Sequence, residues 1–416
     1  MNKNPLLLGI ILLVFFVISF LTNIIGPLVP DIIESFDLSL TLVAFLPFAF
    51  FLAYGLMSIP SGVLIEIIGE KKVIVFAFMI SAAGAFFFAF FPSYATYLFS
   101  LFMIGTGMAM LQVAINPLLR VVGGEKEFAF NSVLGQLFFG LASFLSPLVY
   151  SFLVIYLSKN KVSNSSLLES ILSFIPENLP WISLYWLFAL ISILMVVVIS
   201  LTKFPKVELK EDERTGAIDS HIILLKRPVV LLYFFAIFCY VGTEQGIANW
   251  VSKFLQIYHE IDPQIQGAEV VSNFWGMMTI GTLLGLVLLK FFDSRKVLIF
   301  SSICTIICLV LALFGDTSVS LTSFPLIGFF ISTMWSIIIS LALNSVMENH
   351  GSFSGILVTG IAGGALIPFI VGALGDYFGL RIGMIFLFIT LLYVLSIGFW
   401  SKPLINNVKN SKYTID

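Results

Sequence analysis

One acidic residue, Glu244, lies deep inside a long apolar stretch of the chain, in the segment from Tyr240 to Asn249. A charged group at the centre of a bilayer costs at least about 2.5 to 3.5 kcal/mol, so such a position is a candidate functional site. Its carboxylate could accept hydrogen bonds from solute hydroxyl groups, or carry a proton. The alternative is a structural hydrogen bond to a neighbouring helix. We predict that Glu244 binds the solute and couples its movement to an ion.

Amide and aromatic side chains recur inside the other apolar stretches. Amides hydrogen-bond to hydroxyl groups, and an aromatic face packs on the C–H side of a sugar-like ring. Each amide alone is about as often a hydrogen bond between helices. Several of them lie near helix-interrupting residues such as Pro27, Pro117 and Pro368, which favours a central polar cavity. The complete predicted solute-binding set is Asn23, Gln112, Asn116, Gln136, Glu244, Asn249, Asn273, Trp275 and Asn344.

A short loop between two apolar stretches carries the pattern G-x-x-x-E-x-x-G-E-K-K. Glycine lets two helices joined by a tight loop approach closely, and an acid opposite two lysines can form an ion pair that breaks. A weaker echo follows between Gly285 and Lys296, as expected of two related halves. The alternative is an ordinary basic cytoplasmic loop. We predict a gating loop formed by Gly62, Glu66, Gly69, Lys71 and Lys72.

The composition determines the class of protein that holds these residues. Of 416 residues, 59% are hydrophobic and 11% are charged, and the mean hydropathy of +1.08 does not fit a water-soluble surface. About 20 apolar residues cross a bilayer as a helix, and only helices and closed barrels satisfy their backbone there. We therefore predict an all-α membrane protein with twelve transmembrane helices in two six-helix bundles, the spans lying near 6–28, 40–66, 72–91, 94–119, 128–156, 181–202, 228–256, 267–291, 296–314, 318–346, 352–376 and 380–400.

A charged segment divides the twelve predicted spans. We predict a first bundle over 1–202, a cytoplasmic linker over 203–227 and a second bundle over 228–416. If both termini are cytoplasmic, all but four of the 21 lysines and arginines lie inside, which fits the positive-inside rule. We expect a multi-pass protein of the bacterial inner membrane with this orientation.

Other function classes lack their signatures. The sequence holds no G-x-x-x-x-G-K-S/T phosphate loop, no H-E-x-x-H and no G-x-S-x-G, so neither ATP-driven transport nor an enzyme is expected. The net charge of −2 suggests no nucleic-acid partner. We expect no catalytic residues, no metal, no cofactor other than a proton or sodium gradient, and a monomer.

Four short segments resemble the family of fucose, galactose and glucose proton symporters within the major facilitator superfamily. They are Gln112 to Pro117, Tyr240 to Glu244, Trp275 to Met278 and Gly363 to Pro368. The resemblance implies the major facilitator fold, alternating access and sugar uptake driven by an ion gradient. It does not name the sugar.

The chain departs from this family at its coupling residues. The family's proton-linked carboxylates of the first and fourth spans align with Gly26 and Gln112, which do not titrate. Glu244 therefore becomes the candidate for coupling, and proton coupling, sodium coupling and facilitated diffusion stay open. Two further hypotheses are efflux of an amphipathic compound and a membrane sensor that does not transport.

Overall fold

The apolar stretches form helices throughout. The computed structural model describes residues 5–124, 128–159, 175–176, 178–205, 223–346 and 350–402, and these residues form no strand. Most of the predicted linker, 206–222, lies outside the described residues. Twelve of the helical segments are long and apolar enough to cross a membrane. Six precede residue 206 and six follow residue 222, as the pattern of apolar stretches predicts.

We number these segments as spans 1 to 12 in chain order. Neighbouring spans are joined by short connections where the structure describes them, such as the two residues between Phe291 and Ser294. The spans are Pro5–Phe36, Leu40–Ile68, Glu70–Phe90, Tyr94–Gly123, Phe130–Leu157, Pro180–Leu201, Pro228–His259, Pro263–Phe291, Ser294–Phe314, Thr317–Leu343, Ser352–Phe378 and Leu380–Trp400.

Span 1 extends further than its hydropathy indicates. The predicted end near residue 28 is wrong by about two helical turns, because a second helix, Ile25–Phe36, continues after a break at Asn23 and Ile24. The extension contains the acidic residue Asp31. Asp31 is buried, and its hydrogen bonds to other spans satisfy it inside the protein.

Two spans of the second half are interrupted near their middle. Span 10 consists of the helices Thr317–Ile331 and Met334–Leu343, with Ser332 and Thr333 between them. Span 11 consists of His350–Thr359 and Gly363–Phe378, with a short 3-10 turn between them. The break in span 11 lies directly before the segment Gly363 to Pro368 that the sequence analysis names, whereas the break in span 10 is not predicted.

The first six and the last six spans are joined by hydrogen bonds at one end of the molecule. Asp376 of span 11 accepts hydrogen bonds from the backbone N–H groups of Leu40 and Thr41 at 2.8 and 2.7 Å and from the Thr41 hydroxyl. At the same end, Gln264 donates to Asp31 across 3.0 Å. We call this end the closed end, and the opposite one the Lys71 end.

Aromatic rings and close backbone contacts continue this junction towards the middle. Phe369 of span 11 packs on Phe45 of span 2, with ring centroids 4.8 Å apart. Between spans 8 and 5, the Ser272 hydroxyl donates to the Phe144 carbonyl across 2.7 Å. The closed end is therefore sealed by both polar and apolar contacts.

Candidate functional site

Glu244 is held by hydrogen bonds in the middle of span 7. The Tyr240 hydroxyl donates to Glu244 Oε2 across 2.7 Å, and Gln245 Nε2 donates to Glu244 Oε1 across 3.2 Å. Tyr240 lies one helical turn before Glu244, so the helix itself brings the two side chains together. Each carboxylate oxygen has a defined neighbour, and the half-buried side chain keeps part of its surface accessible. The arrangement fixes an acceptor for hydroxyl groups inside the protein.

Aromatic and small residues of spans 2, 10 and 11 lie beside Tyr240 and Gln245, the two residues that hold this carboxylate. The Tyr240 ring lies 6.1 Å from the ring of Trp335 in span 10. Gly364 of span 11 lies between span 2 and span 7, since a Cβ atom there would be 3.1 Å from Phe51 Cγ and 3.2 Å from Gln245 Cγ. Glycine at this position lets the two halves approach beside Glu244.

Two of the predicted amides lie close to one another on span 4. Gln112 Oε1 accepts a hydrogen bond from the Tyr54 hydroxyl across 3.3 Å, and Asn116 Nδ2 donates to the Gln112 carbonyl across 3.4 Å. Tyr54 in turn packs near Phe51, with ring centroids 6.4 Å apart. Through Phe51, this polar group is continuous with the surroundings of Glu244.

Exposed amides mark an opening towards the Lys71 end. Asn116 and Gln136 are both exposed, although each lies inside an apolar span, about two turns from the end of its helix. A polar group facing lipid is costly, and such side chains face the interior of a helix bundle or a water-filled cavity. Their exposure indicates an opening at the Lys71 end, whereas the contacts described above join the two groups of spans at the closed end.

The remaining predicted residues have other surroundings. Asn23 donates to Ser143 Oγ at 2.9 Å and to Ser19 Oγ at 3.3 Å, which joins spans 1 and 5. Trp275 is buried against Phe274, with ring centroids 5.1 Å apart. Two predicted amides, Asn273 and Asn344, are half-buried. Their roles towards a solute stay predictions.

Asn249 occupies the tight contact between spans 1 and 7. It is 4% exposed, and its Nδ2 has no hydrogen-bond partner in the described structure. A side chain on Gly26 would overlap the Ala248 carbonyl, which explains in physical terms why this position carries no carboxylate. Span 7 fills the space that a larger residue at position 26 would need.

Two aromatic residues of the site, Tyr54 and Trp335, are absent from the sequence-based set. Tyr54 is one aromatic residue among many in span 2 and carries no distinguishing signal. Trp335 is the second residue of the helix that follows the break at Ser332 and Thr333. The pair Ser332 and Thr333 is no signal of this break, since the similar pair Thr322 and Ser323 lies inside the continuous helix Thr317–Ile331.

The predicted gating loop contains a backbone conformation that favours glycine. Gly69 joins spans 2 and 3 with a φ of 84°, a region that only glycine adopts readily. Lys71 Nζ donates to the Ser200 carbonyl across 2.8 Å, at the end of span 6. Glu66 and Lys72 are exposed, and Gly62 lies in the last turns of span 2. The role of the loop in gating stays a prediction.

The echo of this loop in the second half also contains an acid and a base. Asp293 caps span 9 by accepting a hydrogen bond from the Arg295 N–H at 2.8 Å, and the two side chains form an ion pair at 3.1 Å. Hydrogen bonds from the Arg295 side chain hold the pKa of Asp293 below its ordinary value. The connection between spans 8 and 9 is thus held by a local ion pair.

Comparison with known families identifies the fold. The model of the Major Facilitator Superfamily matches residues 11–368. The chain belongs to this superfamily. The fold is accordingly the major facilitator fold, with twelve membrane-spanning helices in two groups of six, and the protein is a multi-pass membrane protein.

Three curated relatives cover nearly the whole chain. The glucose/galactose transporter of Brucella abortus is 29% identical over 395 residues, covering 93% of this chain and 92% of the relative. The putative glucose/galactose transporter of Helicobacter pylori is 31% identical over 378 residues, covering 90% of each. The L-fucose-proton symporter of Escherichia coli is 25% identical over 385 residues, covering 88% and 86%. Their names are those of transporters rather than enzymes.

Solved structures show the same fold. The fucose:proton symporter FucP of Escherichia coli, in the outward conformation, has a TM-score of 0.67 at 22% identity, covering 94% of this chain and 97% of the symporter. A bacterial homologue of the human lysosomal transporter Spinster, inward-facing and occupied, has a TM-score of 0.80 at 15% identity, covering 96% and 97%.

Proposed function

We propose that the chain is a secondary active transporter that moves a monosaccharide, or a similar small polar solute, across the bacterial inner membrane by alternating access. The observation that carries the proposal is the Glu244 carboxylate, fixed by Tyr240 and Gln245 inside the bundle. The names of the relatives, two glucose/galactose transporters and an L-fucose-proton symporter, support a sugar as the solute.

The chemistry around Glu244 suits a polyhydroxylated ring. The carboxylate accepts hydrogen bonds from hydroxyl groups, whereas the amides of Gln112 and Asn116 in span 4 offer both donors and acceptors. Trp335 supplies an aromatic face beside Tyr240. Pockets for small molecules commonly combine an apolar lining with a few placed polar groups of this kind.

Alternating access requires the two groups of spans to separate at one end at a time. With both termini cytoplasmic, as the distribution of basic residues predicts, the closed end faces outwards and the site opens to the cytoplasm. Outward opening then needs the contacts of Asp376 and Asp31 with the other group of spans to break. The predicted domains 1–202 and 228–416 would move as the two units.

The energy source that we propose is a proton or sodium gradient, with Glu244 as the coupling residue. A carboxylate that meets both the solute and the ion links the free energies of their binding. The family's proton-linked carboxylates of the first and fourth spans are replaced in this chain by Gly26 and Gln112, which carry no charge. We propose that Glu244 fulfils this role instead.

Uptake into proteoliposomes tests the proposal. Labelled monosaccharides are supplied under an imposed proton or sodium gradient, and wild type is compared with Glu244→Gln. We expect gradient-driven accumulation of one sugar in the wild type and its loss in the variant, because an amide of the same shape neither carries the ion nor supplies the charge.

A matched control and two informative outcomes complete the experiment. Glu269→Gln makes the same chemical change at an exposed position of span 8 and should leave accumulation unchanged. Accumulation that survives in Glu244→Gln would remove Glu244 from coupling. No flux of any sugar under either gradient would contradict the sugar assignment.

A further inference from the structure

Asp31 is a buried carboxylate that joins the two groups of spans, and the proposed site does not use it. It is 7% exposed in the second helix of span 1. Its Oδ2 accepts a hydrogen bond from the Tyr150 hydroxyl of span 5 at 2.6 Å, and its Oδ1 accepts one from Gln264 Nε2 at the start of span 8 at 3.0 Å. The first bond stays within the first six spans, whereas the second crosses to the last six.

The charged neighbours of Asp31 do not neutralise it. Glu34, on the same helix, and Asp262, just before span 8, are both acidic and act on Asp31 electrostatically. Lys253 of span 7 acts electrostatically on Glu34 and donates to Gln256 Oε1 across 2.8 Å. The two hydrogen bonds that hold Asp31 thus come from neutral side chains, and hydrogen bonds of this charge-assisted kind are stronger than those between neutral groups.

Opening of the closed end changes the surroundings of this carboxylate. Gln264 departs with the last six spans, whereas Tyr150 remains, and water replaces the lost donor. The closed conformation therefore has one charge-assisted hydrogen bond that the open conformation lacks, and a contact made in only one of two conformations shifts their ratio.

We propose that Asp31 is a gating residue, whose charge, through Gln264, sets the ratio of closed to open molecules at this end. The inference rests on the proposed function in that alternating access requires both conformations. It adds a second functional carboxylate, distinct from Glu244 and remote from the solute. Asp376, which accepts hydrogen bonds from the start of span 2, shares the same end and keeps its contacts in the variants described next.

Exchange of the two hydrogen-bonding partners tests the proposal. Spin labels at Ala95→Cys and Ser318→Cys, both exposed and on opposite groups of spans near the closed end, report the distance by double electron–electron resonance. The native Cys239, Cys304 and Cys308 are first replaced by serine. We expect Asp31→Asn to raise the ratio of open to closed molecules about fivefold, because a neutral amide makes a weaker bond.

The second single variant and the double variant make the test specific. Gln264→Glu places two carboxylates against each other and should raise the ratio at least as much. Asp31→Asn combined with Gln264→Glu restores an amide opposite a carboxylate and should return the ratio towards that of the wild type, as a direct pairwise contact predicts.

A nearby substitution separates gating from general stability. Ser35 accepts a hydrogen bond from Trp181 Nε1 at 3.0 Å, entirely within the first six spans, so Ser35→Ala should leave the distance distribution unchanged. No shift in either single variant, or no recovery in the double variant, would overturn the proposal. The distance measurement needs no solute, so its outcome is independent of whether sugars are transported.

Discussion

At the scale of single residues, the structure distinguishes amides that look alike in the sequence. Asn23 and Asn116 both stand in apolar spans near prolines. Asn23 is buried and donates to two serines, whereas Asn116 is exposed within its span. Sequence patterns indicate that a polar residue lies inside a span, but neighbouring helices decide which side chain is already satisfied. The position of Glu244 inside a span can be predicted because it lies far from both ends of a long apolar stretch, whereas its role towards the solute stays a prediction.

Tyr240 is the residue that orients this carboxylate, and its hydroxyl can be removed with little change of shape. We expect Tyr240→Phe to weaken the apparent affinity for the solute about tenfold, because a hydrogen bond to a charged group contributes about 1.5 to 3 kcal/mol. Protein in detergent is titrated with the transported sugar, and binding is measured by calorimetry.

The control for this variant is a second tyrosine with a hydrogen bond away from the site. The Tyr393 hydroxyl donates to the Leu232 carbonyl across 2.9 Å, so Tyr393→Phe also loses one hydrogen bond but should keep its affinity. Equal losses of affinity in both variants would show that Tyr240 acts through general stability rather than through Glu244.

At the scale of helices, a proline or glycine in the sequence does not by itself show where a helix breaks. Pro117 lies inside one continuous helix, Tyr94–Gly123, whereas span 1 breaks at Asn23 and Ile24, before Pro27 and Pro30. Hydropathy finds nearly all span boundaries, since it reflects the bilayer. It misses the extension of span 1 because Asp31 is satisfied by residues distant in sequence, and such contacts cannot be read from a local pattern.

The connection between spans 2 and 3 allows a direct test of backbone strain. Gly69 has φ 84° and ψ 157°, and no atom lies within 4 Å of a Cβ built on it. Any loss of stability in Gly69→Ala must then come from the backbone conformation, which costs about 1 to 3 kcal/mol for a residue with a side chain. We expect a lower melting temperature in detergent, measured by a fluorescence-based thermal shift.

A helical glycine with equal space is the matched control. Gly9 lies in the first helix of span 1, also with no atom within 4 Å of a Cβ. Alanine favours a helix more than glycine does, so Gly9→Ala should leave the melting temperature unchanged or raise it. If Gly69→Ala behaved like Gly9→Ala, the connection would tolerate this change without strain.

At the scale of the whole molecule, the sequence predicts the number and grouping of the spans more completely than it predicts the cavity. Apolar residues lie on every side of most spans, so the pattern of a span does not tell which face meets lipid and which meets the other spans. Tyr54 and Trp335 enter the site only because spans 2 and 10 present them beside Gln112 and Tyr240. The family resemblance supplies the order of the segments, but the packing supplies these neighbours.

The proposed orientation and the closed end together predict on which side the cavity can be labelled. The native cysteines are first replaced by serine. We expect Asn116→Cys to react with a membrane-impermeant maleimide in inside-out vesicles and at least about tenfold more slowly in right-side-out vesicles. The slower reaction is expected because the reagent cannot reach the thiol through the closed end. Asn23→Cys, at a buried position, should react slowly in both.

Because Asn116 lies beside the proposed solute site, saturating solute should also slow its labelling. Faster reaction of Asn116→Cys from the outer side would contradict either the orientation of the termini or the sealing of the closed end. Labelling of a cysteine introduced at exposed Ala95 decides between the two, since Ala95 lies near the closed end and should react from outside only if both termini are cytoplasmic.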